Sequence, residues 1–302
     1  MLRMLVLAGA LVSLAAAFQS TILEETAPPG VNYDKAEFRL WRPSGEGPLR
    51  ATIVLVPGSN GDGRPMVDEP FWQNFATRHK LALIGCHFAD KKHDQQFIEE
   101  YVNVSQGSGQ ALLNALESFA RRSGHPELER TPLLLWGMSA GGQFNYEFAA
   151  WKPERVAAFV VNKGGIYYTA LVSQAARKVP GILFTGGKDL EFRTSTIAGL
   201  FALNRRAGAL WAIAEEPSAA HVVGRSRDVA AVLFEEVLAL GPSKLLAERD
   251  GFRGDIKAKI FQPAADAPAP DYPTSWLPTL RIARAWQALV TEKPFDSTEL
   301  GP

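Results

Sequence analysis

The sequence is poor in cysteine: Cys86 stands alone in 302 residues. One thiol excludes an intrachain disulfide and a zinc site built on cysteines. An excess of charge of either sign is also missing, since 32 Lys and Arg are balanced by 32 Asp and Glu. Affinity for nucleic acid comes mainly from cations that neutralise phosphates, so no nucleic-acid partner is expected, nor a polybasic membrane surface. Past the amino terminus no segment stays apolar for the roughly 20 residues a spanning helix needs. What remains is 46% hydrophobic and 21% charged. That is the composition of a folded chain, long enough to bury a large core in one α/β domain.

What is present begins with an address. Met1-Leu2-Arg3-Met4 carries a positive charge, and the apolar run Leu5–Ala17 ends in Ala15-Ala16-Ala17. This is the pattern of a secretory signal peptide over residues 1–17, cut after Ala17. It predicts a secreted or periplasmic protein with no stable membrane association after cleavage. Residues 18–36 form a polar lead-in containing Pro28-Pro29-Gly30. Residues 37–302 are expected to form a single domain, with a proline-rich carboxy-terminal extension over about 241–302.

Within that domain short apolar runs alternate with helical spacing. Strands are predicted at Glu37–Arg42, Ala51–Val56, Leu81–Cys86, Leu133–Trp136, Val156–Val161, Gly181–Thr185 and Ala209–Ala214. Several are apolar throughout, as strands covered on both faces must be, and Cys86 is expected to be a buried hydrophobe in one of them. Leu112, Leu116 and Phe119 share a helical face, as do Phe144, Phe148 and Trp151. Val229, Val232, Leu233 and Val237 do the same behind Ser226, an expected helix cap. The alternation predicts an α/β fold, a mostly parallel central sheet with helices on both faces. Pro263–Pro273 is too rich in proline for a helix or a central strand. Ile282, Trp286, Leu289 and Val290 then mark a last helix.

The chemistry begins at Gly137-Met138-Ser139-Ala140-Gly141, a G-x-S-x-G sequence. Its context is a strand, Leu133–Trp136, feeding a turn that opens the Phe144/Phe148/Trp151 helix. That arrangement lifts a serine hydroxyl above the sheet. A serine needs a base, itself held by a carboxylate. Of His79, His87, His93, His125 and His221, only His221 follows Ser139, and it comes after the last predicted strand. Asp189 is the candidate acid, because it leaves the strand Gly181–Thr185 through Gly186-Gly187. Glu191 is its main rival, while Glu215 and Glu216 read as solvated loop charges. Backbone N–H groups of Ala140 and of Ser59 or Asn60, in the glycine-rich loop Pro57–Gly63, are expected to hold an oxyanion.

Two further features flank this set. His87, Asp90, His93 and Asp94 could ligate a metal, but Lys91-Lys92 among them disfavours a cation, so no metal is expected. Phe88, Tyr167 and Tyr168 are expected along the walls of a substrate cleft.

With these elements in this order, the chain resembles the α/β-hydrolases over roughly Phe38–Leu240. It is most similar to secreted esterases of the dienelactone-hydrolase and polyhydroxybutyrate-depolymerase-like branch. Gly137–Gly142 matches that branch's nucleophile turn and Gly186–Asp189 its Gly-x-x-Asp turn, although Pro57-Gly58 stands where the branch commonly has His-Gly. The resemblance implies an α/β-hydrolase fold, a Ser139–His221–Asp189 triad and hydrolysis of carboxylic esters through an acyl-enzyme, with no cofactor. The partner would be a small-molecule or polymeric ester. Acyl transfer or peptide cleavage by the same residues, or binding without catalysis, are the alternatives.

Overall fold

A computed structural model describes residues 20–45, 47–241, 246–266 and 271–295. Residues 1–17, read above as a signal peptide, lie outside them. In chain order the elements are β1 (Thr21–Ala27), β2 (Lys35–Arg42), β3 (Ala51–Val56), α1 (Pro70–His79), β4 (Leu81–Ala89), α2 (Ser108–Ser123), β5 (Leu133–Gly137) and α3 (Ala140–Trp151). They continue with β6 (Val156–Asn162), α4 (Gln174–Arg177), β7 (Gly181–Gly186), α5 (Glu191–Arg206), β8 (Trp211–Glu216) and α6 (Ser226–Leu240). The carboxy-terminal part adds β9 (Phe252–Asp255), β10 (Ile260–Pro263), β11 (Ser275–Leu277) and α7 (Leu280–Val290).

Eight strands form the main sheet in the order β1-β2-β4-β3-β5-β6-β7-β8. From β4 to β8 every neighbouring pair is parallel, and β1 and β2 join antiparallel at one edge. Alternation along each strand divides the core. In β3, Val54 and Val56 point into a layer shared with α2, α3 and α5, including Leu116, Phe144 and Phe201. Ile53 and Leu55 point the other way, against α1, α6 and α7, where Trp72, Phe234 and Trp286 are buried. A strand covered on both faces must be apolar at every position, as the wholly buried β3 and β5 are.

Three local expectations are corrected. The polar lead-in does not stand apart from the domain: Thr21–Ala27 forms the edge strand β1, in register with Ala36–Arg42. Half of it faces solvent, so it carries too few apolar residues to stand out by pattern. Its charges serve the pairing instead, because Glu24 lies opposite Arg39 and accepts from that guanidinium at 2.7 and 2.8 Å. The strand read as Leu81–Cys86 runs on to Ala89, since β2 pairs with it as far as Lys35↔Ala89. Ser226 is the first residue of α6 rather than its cap, and its hydroxyl donates back to the Val223 carbonyl at 2.7 Å.

Cys86 is fully buried, and burial pushes its thiol well above the ordinary value. The carboxy-terminal extension covers the β8 edge. Ser275 Oγ accepts from Ile213 N–H at 3.0 Å and donates to the Ile213 carbonyl at 2.9 Å. The Trp286 indole N–H reaches that same carbonyl at 2.7 Å. An exposed edge strand is a template for unwanted pairing, and these side chains occupy its polar groups. Among the described residues, no helix is long and apolar enough to cross a membrane.

Candidate active site

Four loops leave the carboxyl ends of β3, β5, β7 and β8 and meet above the sheet, where open α/β folds place their ligand sites. The turn after β5 is the tightest. Ser139 has φ 54° and ψ −121°, a conformation that strains any side-chain-bearing residue. Its N–H is held by the Asn162 carbonyl at 2.8 Å, and the Gly142 and Gln143 N–H groups bond to its own carbonyl. The flanking glycines are there for contact: a methyl group at Gly137 would strike the Gly141 carbonyl, and one at Gly141 the carbonyls of Val56 and Pro57.

His221, in the loop after β8, reaches both other residues. Its Nε2 lies 3.0 Å from Ser139 Oγ and its Nδ1 2.8 Å from Asp189 Oδ2. The loops of Asp189 and His221 are stitched together by Gly187 N–H to the Glu216 carbonyl and Lys188 N–H to the Ala219 carbonyl, both at 2.9 Å. The Asp189 side chain is 2% exposed. That burial opposes its charge, but the hydrogen bonds from His221, the Leu190 N–H and Arg193 outweigh it and hold the carboxyl below its ordinary value. Glu191 is an exposed first-turn residue of α5.

Of the expected oxyanion donors, Asn60 is taken. Its N–H points to the Tyr101 hydroxyl at 3.3 Å, with Asn60 at φ 54°. Ser59 and Ala140 donate their N–H groups to no acceptor among the described residues. Gly58 packs against Ser139, 3.6 Å separating the Ser139 Cβ from where a methyl on Gly58 would sit, so this loop borders the hydroxyl. Asp62 and Arg64 brace it through hydrogen bonds of 2.7 and 2.9 Å, which lower the Asp62 carboxyl to about 2.

A cavity of about 620 Å³ opens over Ser139 and His221, walled by Phe97, Glu99, Gln143, Phe192 and Arg193 among others. These walls are not the expected ones. Phe88 is 2% exposed and points away into the core, stacked on Phe144 and Tyr101 at 4.8 and 5.6 Å between ring centroids. Successive residues of a strand face opposite sides, and the unforeseen length of β4 fixed the inward face for Phe88. Tyr167 packs on Tyr146 with its hydroxyl buried. Tyr168 is exposed and lies behind one wall, its hydroxyl donating to the Glu99 backbone carbonyl at 3.4 Å. The His87 and His93 rings are engaged separately, with Glu37 at 2.8 Å and Asp90 at 3.5 Å. Among the described residues no three His, Cys, Asp or Glu side chains converge as for a metal.

Glu216 is no solvated loop charge. It is 7% exposed and paired with the fully buried Lys163, whose Nζ also donates to Asn162 Oδ1 at 3.1 Å. Glu216 accepts the Arg225 N–H at 2.6 Å as well, and Asn162 Nδ2 donates to the Val223 carbonyl at 3.0 Å. The turn of Ser139 and the loop of His221 thus share one buried polar frame. No spacing in the sequence marks it, because its members come from the ends of β6 and β8 and from the start of α6.

No protein-family model matches the sequence, and no curated protein matches it. Solved structures do resemble it. The poly(3-hydroxybutyrate) depolymerase LpqC from Bordetella parapertussis superposes with a TM-score of 0.53 at 18% identity, covering 74% of this chain and 94% of that one. The fluorophosphonate-binding serine hydrolase FphF from Staphylococcus aureus gives 0.51 at 12% identity, over 72% and 98% of the two chains. Poly(aspartic acid) hydrolase-1 from Sphingomonas sp. KT-1 gives 0.51 at 13%, over 70% and 97%. With its mostly parallel eight-stranded sheet, its strained serine turn after β5 and these neighbours, the chain has the α/β-hydrolase fold.

Proposed function

We propose that the protein is a secreted serine hydrolase that cleaves carboxylic esters, with Ser139, His221 and Asp189 as its catalytic triad. The observation that carries this reading is the pair of hydrogen bonds made by one imidazole, 3.0 Å to the Ser139 hydroxyl and 2.8 Å to the Asp189 carboxylate, beside an open cavity. Ser139 Oγ attacks the ester carbonyl while His221 Nε2 takes its proton. The tetrahedral oxyanion sits against the Ser59 and Ala140 N–H groups. Its collapse expels the alcohol, which leaves with the proton from His221, and forms the acyl-enzyme. Water, deprotonated by the same imidazole, then releases the acid and restores Ser139. Asp189 holds Nδ1 as a donor and stabilises the imidazolium. Solved structures of this fold that are named as depolymerase and serine hydrolases support the same reaction class. Export is supported by the leader pattern of residues 1–17.

The substrate is an ester whose reacting end fits the cavity, free or as a unit of a polymer. The test is hydrolysis of a short-chain chromogenic ester by the purified mature chain, together with labelling by a fluorophosphonate probe. Both are expected to disappear in Ser139→Ala and to survive a chelator, since every step runs on protein groups. Full activity in Ser139→Ala would refute the reading.

A further inference from the structure

One wall of the cavity carries a charge that the hydrolytic steps do not use. Glu99 is 8% exposed, and its carboxylate receives one hydrogen bond, from Gln143 Nε2 at 3.4 Å. That donor is fixed in turn, because Gln143 Oε1 accepts the Gly165 N–H at 2.8 Å. The other Glu99 carboxylate oxygen has no partner among the described residues. No Lys, Arg or His nitrogen among them comes within 4.0 Å of Glu99 to form an ion pair.

The cation in the cavity wall is already engaged. Arg193 Nη1 donates to Asp189 Oδ1 at 3.1 Å, and the guanidinium lies 5.5 and 5.0 Å from the ring centroids of Phe97 and Phe192. Arg193 therefore balances Asp189, which leaves Glu99 as the uncompensated charge of the cavity. Asp90 adds to the negative side: burial and the neighbouring Glu99 charge hold its carboxyl above the ordinary value, against its bonds to the Tyr101 N–H and His93. The Glu99 oxygen without a partner is not among the sealed-off polar atoms, so it stays open where Glu99 lines the cavity. A hydroxyl could satisfy its lone pair, but only a cation supplies the missing charge as well, through a charge-assisted bond.

We propose that Glu99 anchors a protonated amine carried by the substrate, so that the cavity selects cationic esters over their neutral isosteres. The proposal rests on the esterase reading for its reaction but not for its binding. Glu99 and Ser139 line the same cavity, so the amine and the scissile carbonyl belong to one bound molecule.

Isosteric ester pairs test this. Ethyl 4-(dimethylamino)butanoate and ethyl 5-methylhexanoate differ in acyl charge, and 2-(dimethylamino)ethyl butanoate and 3-methylbutyl butanoate differ in alcohol charge. The intact mature chain should favour the cationic member of at least one pair by about tenfold or more in kcat/KM, as a charged hydrogen bond implies. It should disfavour the anionic monoethyl glutarate against ethyl 5-methylhexanoate. In Glu99→Gln the cationic-to-neutral ratio should fall to about one, whatever happens to the absolute rates. Ratios near one in the unsubstituted chain for both pairs, or a preference that persists in Glu99→Gln, would overturn the proposal.

Calorimetric titration of Ser139→Ala with the same esters separates the two readings. Glu99-dependent tighter binding of a cationic ester, with none of the esters hydrolysed by the unsubstituted chain, sinks the esterase reading and sustains the anchor. Hydrolysis by the intact chain without preference, and equal binding by Ser139→Ala, does the reverse.

Discussion

Lys163 and Glu216 form an ion pair beneath the active-site loops, the lysine fully buried and the glutamate nearly so. Lys163 is itself at φ 57°, a positive value held by the surrounding bonds, including its N–H to the Phe184 carbonyl at 3.0 Å. A methyl group on Gly186, in the strand end leading to Asp189, would lie 3.0 Å from Lys163 Cε. The pair thus sits between the loop that carries Asp189 and the loop that carries His221.

Lys163→Met leaves Glu216 charged, buried and without its cation, and should cost about 3–5 kcal/mol of stability. Adding Glu216→Gln removes that orphan charge while keeping an acceptor for the Arg225 N–H, and should recover most of the loss. Urea denaturation of the single and double variants measures both. A single variant as stable as the parent would show that the pair is not a structural tie.

Ser139 should display a trade between stability and activity. Its φ of 54° and ψ of −121° favour glycine, and strain of this kind costs of order 1–3 kcal/mol. Ser139→Gly is expected to gain roughly 1 kcal/mol after the entropy of the added glycine is subtracted. Ester hydrolysis should fall by at least about a thousandfold, as when a nucleophile is deleted. Thermal melting and steady-state rates on one preparation decide it.

The two phenylalanines near the cavity should behave oppositely. Phe88→Ala empties a core position stacked on Tyr101 and Phe144 and edge-on to Tyr33 and Phe38, and should destabilise by about 3–5 kcal/mol while leaving ester chain-length preference unchanged. Phe97 is 53% exposed at the cavity mouth. Phe97→Ala should change stability by only about 0.5 kcal/mol and alter the chain-length profile. The reverse pattern would put Phe88 back in the cleft wall.

Asp62 gives a pH dependence of known sign. Its carboxyl is lowered from 3.8 to about 2 by the Arg64 side chain and backbone, despite partial burial. A carboxyl lowered by folding stabilises the native state above its unfolded value, and that contribution fades as pH falls toward the folded value. The stability difference between the parent and Asp62→Asn should therefore be constant above about pH 5 and shrink from pH 4 toward pH 2. Urea midpoints across that range measure it, and a difference that grows on acidification would contradict the Asp62–Arg64 pairing.

The sequence by itself determined the alternation of apolar strands and amphipathic helices, because burial on two sheet faces imposes that pattern locally. It also determined the serine turn and the chain order of Ser139, Asp189 and His221, since a sharp turn demands Gly137 and Gly141 within a few residues. It left the edge strand β1 hidden, where solvent on one face relaxes the need for apolar side chains. The tertiary structure alone decided that Phe88 turns inward and that Phe97, Glu99 and Arg193 line the cavity. It alone placed Lys163 beside Glu216. Each of these depends on which side of an element faces which neighbour, a relation between segments far apart along the chain that no local spacing encodes.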